Sequence, residues 1–170
     1  MSSLYFDPND STVITRLAAL QPQPGYCVVA DIVGSTALKD RGLQRWAPAI
    51  FNTFGNVRAF LPPQAIPLKS LGDALMFFIP ASLLSGRTTG SLAVNIPDGE
   101  ALEIFTALVS SVRDPGPVYE QLKVAVAYCT DAYPLTFVKG FEDVYGKDID
   151  LTFRLLSCAH PREVVMNEAF

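Results

Sequence analysis

Two short motifs hold the residues best placed to do chemistry. In CVVADIVGSTAL, residues 27–38, an apolar run meets one carboxylate, Asp31, and Gly34, Ser35 and Thr36 follow closely. In LKSLGDALMFF, residues 68–78, Asp73 stands directly behind Gly72. Taken singly, an Asp at a strand end is an ordinary cap or turn residue, and Gly-Asp is a common turn. The pair, in this order, is what informs. Two carboxylates that converge without a basic neighbour in their own motifs call for a divalent cation. Mg2+ and Mn2+ take oxygen ligands, often few from the protein and the rest from phosphates and water. Two such ions about 3.5–4 Å apart would activate a hydroxyl and steady a leaving pyrophosphate. The small residues after Asp31 would let backbone N–H groups approach phosphate oxygens, with a helix following.

These motifs need elements that bring them together. YCVVADIV reads as a buried strand, β-branched and apolar. A helix is predicted over roughly 42–61 from the spacing of Ile50, Phe51, Phe54, Val57, Phe60 and Leu61, with Pro48 tolerable in a first turn. AIPLKS and ALMFFIP read as strands joined through Leu71-Gly72-Asp73, a hairpin signal. SLLSGRTTGSLAVNIPDGE reads as a loop-like insertion, and EALEIFTALVSSV as an amphipathic helix stopped by DPGP. QLKVAVAYC is a strand, YPLTFV a candidate strand, GKDIDLTFRLLSCA a helix and REVVMN a last strand. The order β-α-β-β-α-β-(β)-α-β predicts an α+β fold related to the ferredoxin-like class, with a mostly antiparallel central sheet flanked by helices. In its βαββ unit the first strand lies beside the second and third, so Asp31 and Asp73 reach one edge. Residues 1–24 form a polar, Pro-containing lead-in with a short helix near TVITRLAAL, and 25–170 form the main domain.

The 170 residues, 49% hydrophobic and 18% charged, suit one globular domain. A net charge of −4 argues against polymeric nucleic acid as the main partner, but not against a small phosphorylated ligand held through a metal. No apolar run reaches membrane-spanning length and MSSLYFDPND lacks signal-peptide character, so the expected location is the cytoplasm, away from membranes. Cys27, Cys129 and Cys158 read as buried reduced thiols without zinc spacing, and His160 as a structural turn residue beside Pro161.

VVADIVGSTAL resembles the metal-binding strand of class III nucleotidyl cyclases, and LKSLGDALMFF their second metal motif. EDVYGKDIDLTFRLLSCAHPREVVMNE resembles the segment that supplies base-recognition and transition-state groups. The resemblance covers most of residues 26–167 and implies attack of a ribose 3′-hydroxyl on the α-phosphorus with loss of pyrophosphate. It implies that Asp31 and Asp73, with the Ile32 carbonyl, hold two Mn2+ or Mg2+ ions, and that Val33, Gly34, Ser35 and Thr36 meet the nucleotide. Lys69 falls where adenylate-type enzymes place a base-reading lysine, Asp143 where they place its acidic partner, and Arg154 where an arginine steadies the transferred phosphoryl group. Asp150 stands where many members carry Asn; an ionised acid accepts but does not donate, which weakens the ribose contact. The family's late triphosphate lysine would fall beyond residue 170, leaving Lys39, Arg41 and Lys147 as candidates for that charge. Outside this resemblance, Lys69 reads as a strand-edge charge, Asp143 and Asp150 as solvated helix residues, and Arg154 as an i,i+4 partner of Asp150.

In the family, metals come from one subunit and the base-reading and arginine groups from the other. The resemblance therefore implies a homodimer with two composite sites. One donor and one acceptor, Lys69 and Asp143, suit adenine, cytosine or, in swapped order, uracil. AYCTDAYPLTFVKGFEDVYGKDIDLT looks closest to the pyrimidine cyclases of bacterial Pycsar anti-phage systems. Those make cyclic UMP or cyclic CMP, which activates a separate effector protein. The expectation is UTP or CTP cyclisation, with UTP favoured; Tyr26, Phe137 and Tyr145 are candidate aromatic pocket fillers, although a core role is the commoner one for each. An adenylate cyclase and a catalytically silent nucleotide-binding dimerisation module are the alternatives.

Overall fold

The computed structural model describes residues 3–63, 65–84, 99–116 and 120–169. Within those residues the side chains of Ile66, Lys69, Ser70, Leu71, Gly99 and Glu100 are outside the description, as is most of the expected insertion after Leu84. A five-stranded sheet forms the centre, in the order β3-β4-β2-β5-β7. Its strands are β2 (Gly25–Ile32), β3 (Ile66–Leu71), β4 (Ala74–Pro80), β5 (Leu122–Cys129) and β7 (Val164–Met166). All neighbours are antiparallel except β5 and β7, which run parallel.

Strand β2 is apolar on both faces because both faces are covered, as expected for a central strand between two helix layers. On one face Tyr26, Val28, Ala30 and Ile32 pack with Phe77, Ile79, Val124 and Val126 under the helices α3 (Leu43–Phe60) and α4 (Gly99–Arg113). On the other face Cys27 and Val29 pack with Met76, Phe78, Ala125 and Ala127 under α5 (Lys147–Cys158), which contributes Ile149 and Leu156. Alternation along β2 therefore places Asp31 on the α5 face.

The helices and strands fall within a residue or two of the spans read from the sequence. Four local expectations change. Within the βαββ unit, β2 lies beside β4 but not beside β3, which pairs only with β4 at the sheet edge. The other neighbour of β2 is β5, and the hairpin tip still reaches the end of β2 through β4. Helix α3 starts at Leu43, so Pro48 lies in its second turn, where its missing N–H leaves the Gln44 carbonyl without its intrahelical donor. Cys158 is exposed, whereas Cys27 and Cys129 are buried. The lead-in carries, besides the short helix α1 (Val13–Ala18), a strand β1 (Leu4–Tyr5) that pairs in parallel with β6 (Leu135–Thr136), the short strand inside YPLTFV. Between β2 and α3 lies a five-residue helix, α2 (Ser35–Lys39), entered through Gly34 at φ 71°, a conformation that glycine adopts without steric cost.

Candidate active site

Asp31 is the penultimate residue of β2, paired across the sheet with Ala74 on one side and Lys123 on the other. Asp73 is the second residue of the two-residue turn between β3 and β4, which Gly72 opens at φ 68°. The Ile32 N–H donates to the Asp73 carbonyl at 3.3 Å, tying the hairpin tip to the end of β2. Both carboxylates consequently line one cleft of about 330 Å³. Ile32, Val33, Gly34, Ser35 and Thr36 line it too, and Ala159 and Pro161 close it from the end of α5.

The carboxylates already have local partners. The Ser35 hydroxyl donates to Asp73 Oδ2. Lys39 Nζ lies 3.9 Å from Asp73 Oδ1, and Lys123 Nζ lies 3.2 Å from Asp31 Oδ2. Lys123 is the residue the motif-by-motif reading overlooked. The signal was present: Leu122 and Val124 face the α3 and α4 layer, so Lys123 between them must face the α5 side, as Asp31 does. Of the other candidate cations, Arg41 lies 4.0 Å from Glu120, and Lys147 lines a different cleft.

The donor set tests the fit of a divalent ion. Asp31, Asp73, the Ser35 hydroxyl and backbone oxygens are hard oxygen donors, the type Mg2+ and Mn2+ accept. Among the described residues no cluster of three or more His, Cys, Asp or Glu is disposed to hold a metal. A two-carboxylate site suits an ion that fills its shell with water and phosphate oxygens, and these residues fit it.

The second group of expected residues lies elsewhere. Asp150 and Arg154, with Lys147 and Leu151, line a cleft of about 390 Å³ on the outer face of α5. Arg154 is exposed and forms no ion pair among the described residues, Asp150 included. The start of α5 is capped reciprocally. Asp131 accepts the Lys147 and Asp148 N–H groups at 2.8 and 3.1 Å, and Asp148 accepts the Thr130 N–H at 2.9 Å. Burial would raise the Asp148 carboxyl, but the Thr130 N–H and hydroxyl, a hydrogen bond with Asp131 and the Lys147 charge together hold it below the usual carboxylate range.

Asp143 is half-buried in the irregular segment before α5, and its Oδ1 accepts the Val144 N–H at 2.9 Å. The Tyr145 phenol hydrogen-bonds the same carboxylate; burial first, then the Asp143 charge and that bond, raise its pKa. Phe137 lies edge-on to Tyr145, centroids 5.1 Å apart; both rings are partly exposed, and Tyr145 links them to Asp143. Tyr26 is different: it is buried against Phe105 and Tyr128 on the α3 and α4 face and fills core, not a site. Lys69 lies on β3 opposite Met76, after an irregularity in the ladder; its side chain is outside the described set. His160 is exposed, and its backbone N–H donates to Glu163 Oε2 at 2.7 Å, which stabilises the turn before β7.

No protein-family model matches the chain, and no curated protein does. Solved structures do. The adenylyl cyclase CyaB from P. aeruginosa superimposes with a TM-score of 0.64 at 15% identity, over 87% of this chain and 78% of that one. The chain has the class III cyclase fold. The guanylate cyclase domain of RhGC from Catenaria anguillulae, solved with GTP, superimposes at 0.61 and 11% identity, over 86% of this chain and 79% of that one. A non-canonical dimeric guanylyl cyclase domain of the RhoGC fusion protein from the aquatic fungus Blastocladiella emersonii gives 0.60 and 11%, over 86% and 80%. At these identities the cyclase fold is what is shared, a mixed α+β sheet flanked by helices. No helix among the described residues is long and apolar enough to cross a membrane.

Proposed function

We propose that this chain is a nucleotidyl cyclase that converts a nucleoside triphosphate, UTP or CTP in our reading, to its 3′,5′-cyclic monophosphate. The observation that carries the reading is the convergence of Asp31 and Asp73 in one cleft beside Gly34, Ser35 and Thr36, within a cyclase fold. Mn2+ or Mg2+ held by Asp31, Asp73 and the Ile32 carbonyl would supply Lewis-acid polarisation of the phosphate oxygens and the 3′-hydroxyl. The chain's own residues do the rest. The small side chains from Val33 to Thr36 admit the triphosphate close to the backbone. Lys123 stands at the cleft wall as the cation for the phosphates, in place of Lys39, Arg41 and Lys147. The 3′-oxygen bonds to the α-phosphorus as the bond to the β-phosphate oxygen breaks. Pyrophosphate leaves with that electron pair, and the hydroxyl proton passes to water.

Arg154 lines a cleft separate from the one holding Asp31 and Asp73, so the reading places catalysis in a homodimer. There Arg154 of one subunit faces the α-phosphate held by the other, with Asp150 accepting from the ribose. Lys69 and Asp143 read the base, and Phe137 and Tyr145 beside Asp143 narrow the space for it. The product would serve as a cytoplasmic second messenger in antiviral defence and act on a separate effector protein. Incubation with each of the four ribonucleoside triphosphates and Mn2+, with product identification, tests the substrate. Cyclic UMP or cyclic CMP is expected. Turnover of ATP alone would make the chain an adenylate cyclase, and no turnover by folded dimer would make it a silent module.

A further inference from the structure

We propose that Ser3 and strand β1 form a latch that sets the position of Asp143, so that the N-terminal segment governs how well the base is read. The inference rests on Asp143 being a base-contacting residue. A two-residue strand holds nothing by itself, but β1 is registered on β6, Leu4 against Leu135 and Tyr5 against Thr136. The Leu4 N–H donates to the Pro134 carbonyl and the Phe6 N–H to the Thr136 carbonyl, both at 2.8 Å. That pairing fixes where Ser3 can reach.

Ser3 reaches across 140 positions of sequence to one residue and meets both of its backbone groups. Its hydroxyl donates to the Asp143 carbonyl at 2.9 Å and accepts the Asp143 N–H at 3.1 Å. A hydroxyl donates and accepts at one atom, and does both far better than a thiol. Residues 141–144 have no regular secondary structure; the nearest paired backbone is the bridge of Tyr145 with Tyr133, two residues further on, so Ser3 adds a direct hold on the Asp143 peptide itself. A second line runs from the same segment to the Asp143 carboxylate. Phe6 packs on Phe137 with centroids 5.6 Å apart, Phe137 on Tyr145 at 5.1 Å, and the Tyr145 phenol bonds Asp143. The N-terminal segment thus controls the backbone of Asp143 through a hydroxyl and its carboxylate through three rings. Ser3 is a positioning residue: it acts on the base through Asp143.

The test uses the full chain with Mn2+ and the nucleotide preferred among the four. Ser3→Ala should raise KM about tenfold, the effect of losing two bonds each contributing a factor of several, and leave kcat within about twofold. Ser3→Thr, which keeps the hydroxyl, should restore KM. Asp143→Ala should raise KM, and adding Ser3→Ala to it should raise KM no further, because the latch has lost what it positions. If Asp143→Ala raises KM while Ser3→Ala does not, or if the two effects multiply, the latch is refuted and the base-reading role of Asp143 stands. If Asp143→Ala leaves KM unchanged, the base-reading role fails and the latch fails with it.

Discussion

Replacing Lys123 with Met removes the charge beside Asp31 and keeps an unbranched chain of similar reach. The pair spans 3.2 Å, with the Lys123 and Asp31 side chains 27% and 22% exposed. Exposed pairs contribute about 0.2–1 kcal/mol, and breaking a fully buried pair costs about 3–5 kcal/mol. This pair borders an open cleft but is held by strand register, so the loss should be about 1–2 kcal/mol. For a chain of this length that lowers Tm by roughly 2–8 °C. Divalent ion should reverse the order of effects. In the parent chain an ion approaching Asp31 must displace Lys123, whereas in Lys123→Met it becomes the carboxylate's first counter-charge. Mn2+ should therefore bind the variant about 5–30-fold more tightly and raise its Tm by more than it raises the parent's. Turnover should move the other way, with kcat/KM falling because the cleft has lost its cation for the phosphates. Thermal unfolding with and without Mn2+, beside steady-state kinetics, measures all three quantities. A metal-free variant as stable as the parent, or equal stabilisation of both by Mn2+, would refute the reasoning.

Asp31→Ala and Arg154→Ala should each abolish turnover while leaving a folded dimer, and mixing the two should restore part of it through one intact composite site. Absence of rescue despite demonstrated subunit exchange would rule out shared sites. A Cβ on Gly146 would overlap the Asp131 carbonyl oxygen and lie 2.9 Å from its carbonyl carbon and Oδ1. Gly146→Ala should therefore cost about 1–3 kcal/mol in denaturant unfolding by forcing the start of α5 outward. Asp148 has its carboxyl pKa depressed by folding, so its contribution is present above the unfolded value near about 4 and is lost as pH falls through the folded value. Asp148→Asn should be about 1 kcal/mol less stable at neutral pH, with the gap closing in acid. A gap independent of pH would mean that charge is not the cause.

Where local pattern decides structure, the sequence was sufficient. The apolar run of β2, the hairpin at Gly72-Asp73 and the helical spacing of α3, α4 and α5 specify their elements, and strand order then brings Asp31 to Asp73. Contacts across sequence were less legible. Lys123 belongs to β5, and only the antiparallel register with β2 puts it against Asp31. β1 is two residues long, too short for any period, and exists because β6 offers it an edge. Tyr26, for which the buried character of its strand already favoured core, packs on the α3 and α4 face of β2. Arg154 lines a different cleft from the carboxylates because it lies on the exposed face of α5, and the i,i+4 spacing of Asp150 and Arg154 shows only that those two share a face.

The position of the two carboxylates within the sheet has a dynamic consequence. Asp31 belongs to the central strand, bonded to neighbours on both sides, and its amides should exchange with solvent only when the whole domain opens. Asp73 sits on a hairpin whose outer strand, β3, is an edge with one neighbour. That hairpin can fray at far lower free energy. Of the two carboxylates proposed to hold an ion, one is thus anchored to the central strand and the other to an edge hairpin. An ion could leave by loosening the hairpin tip alone, with the rest of the sheet intact and the other carboxylate still in place to receive the next one.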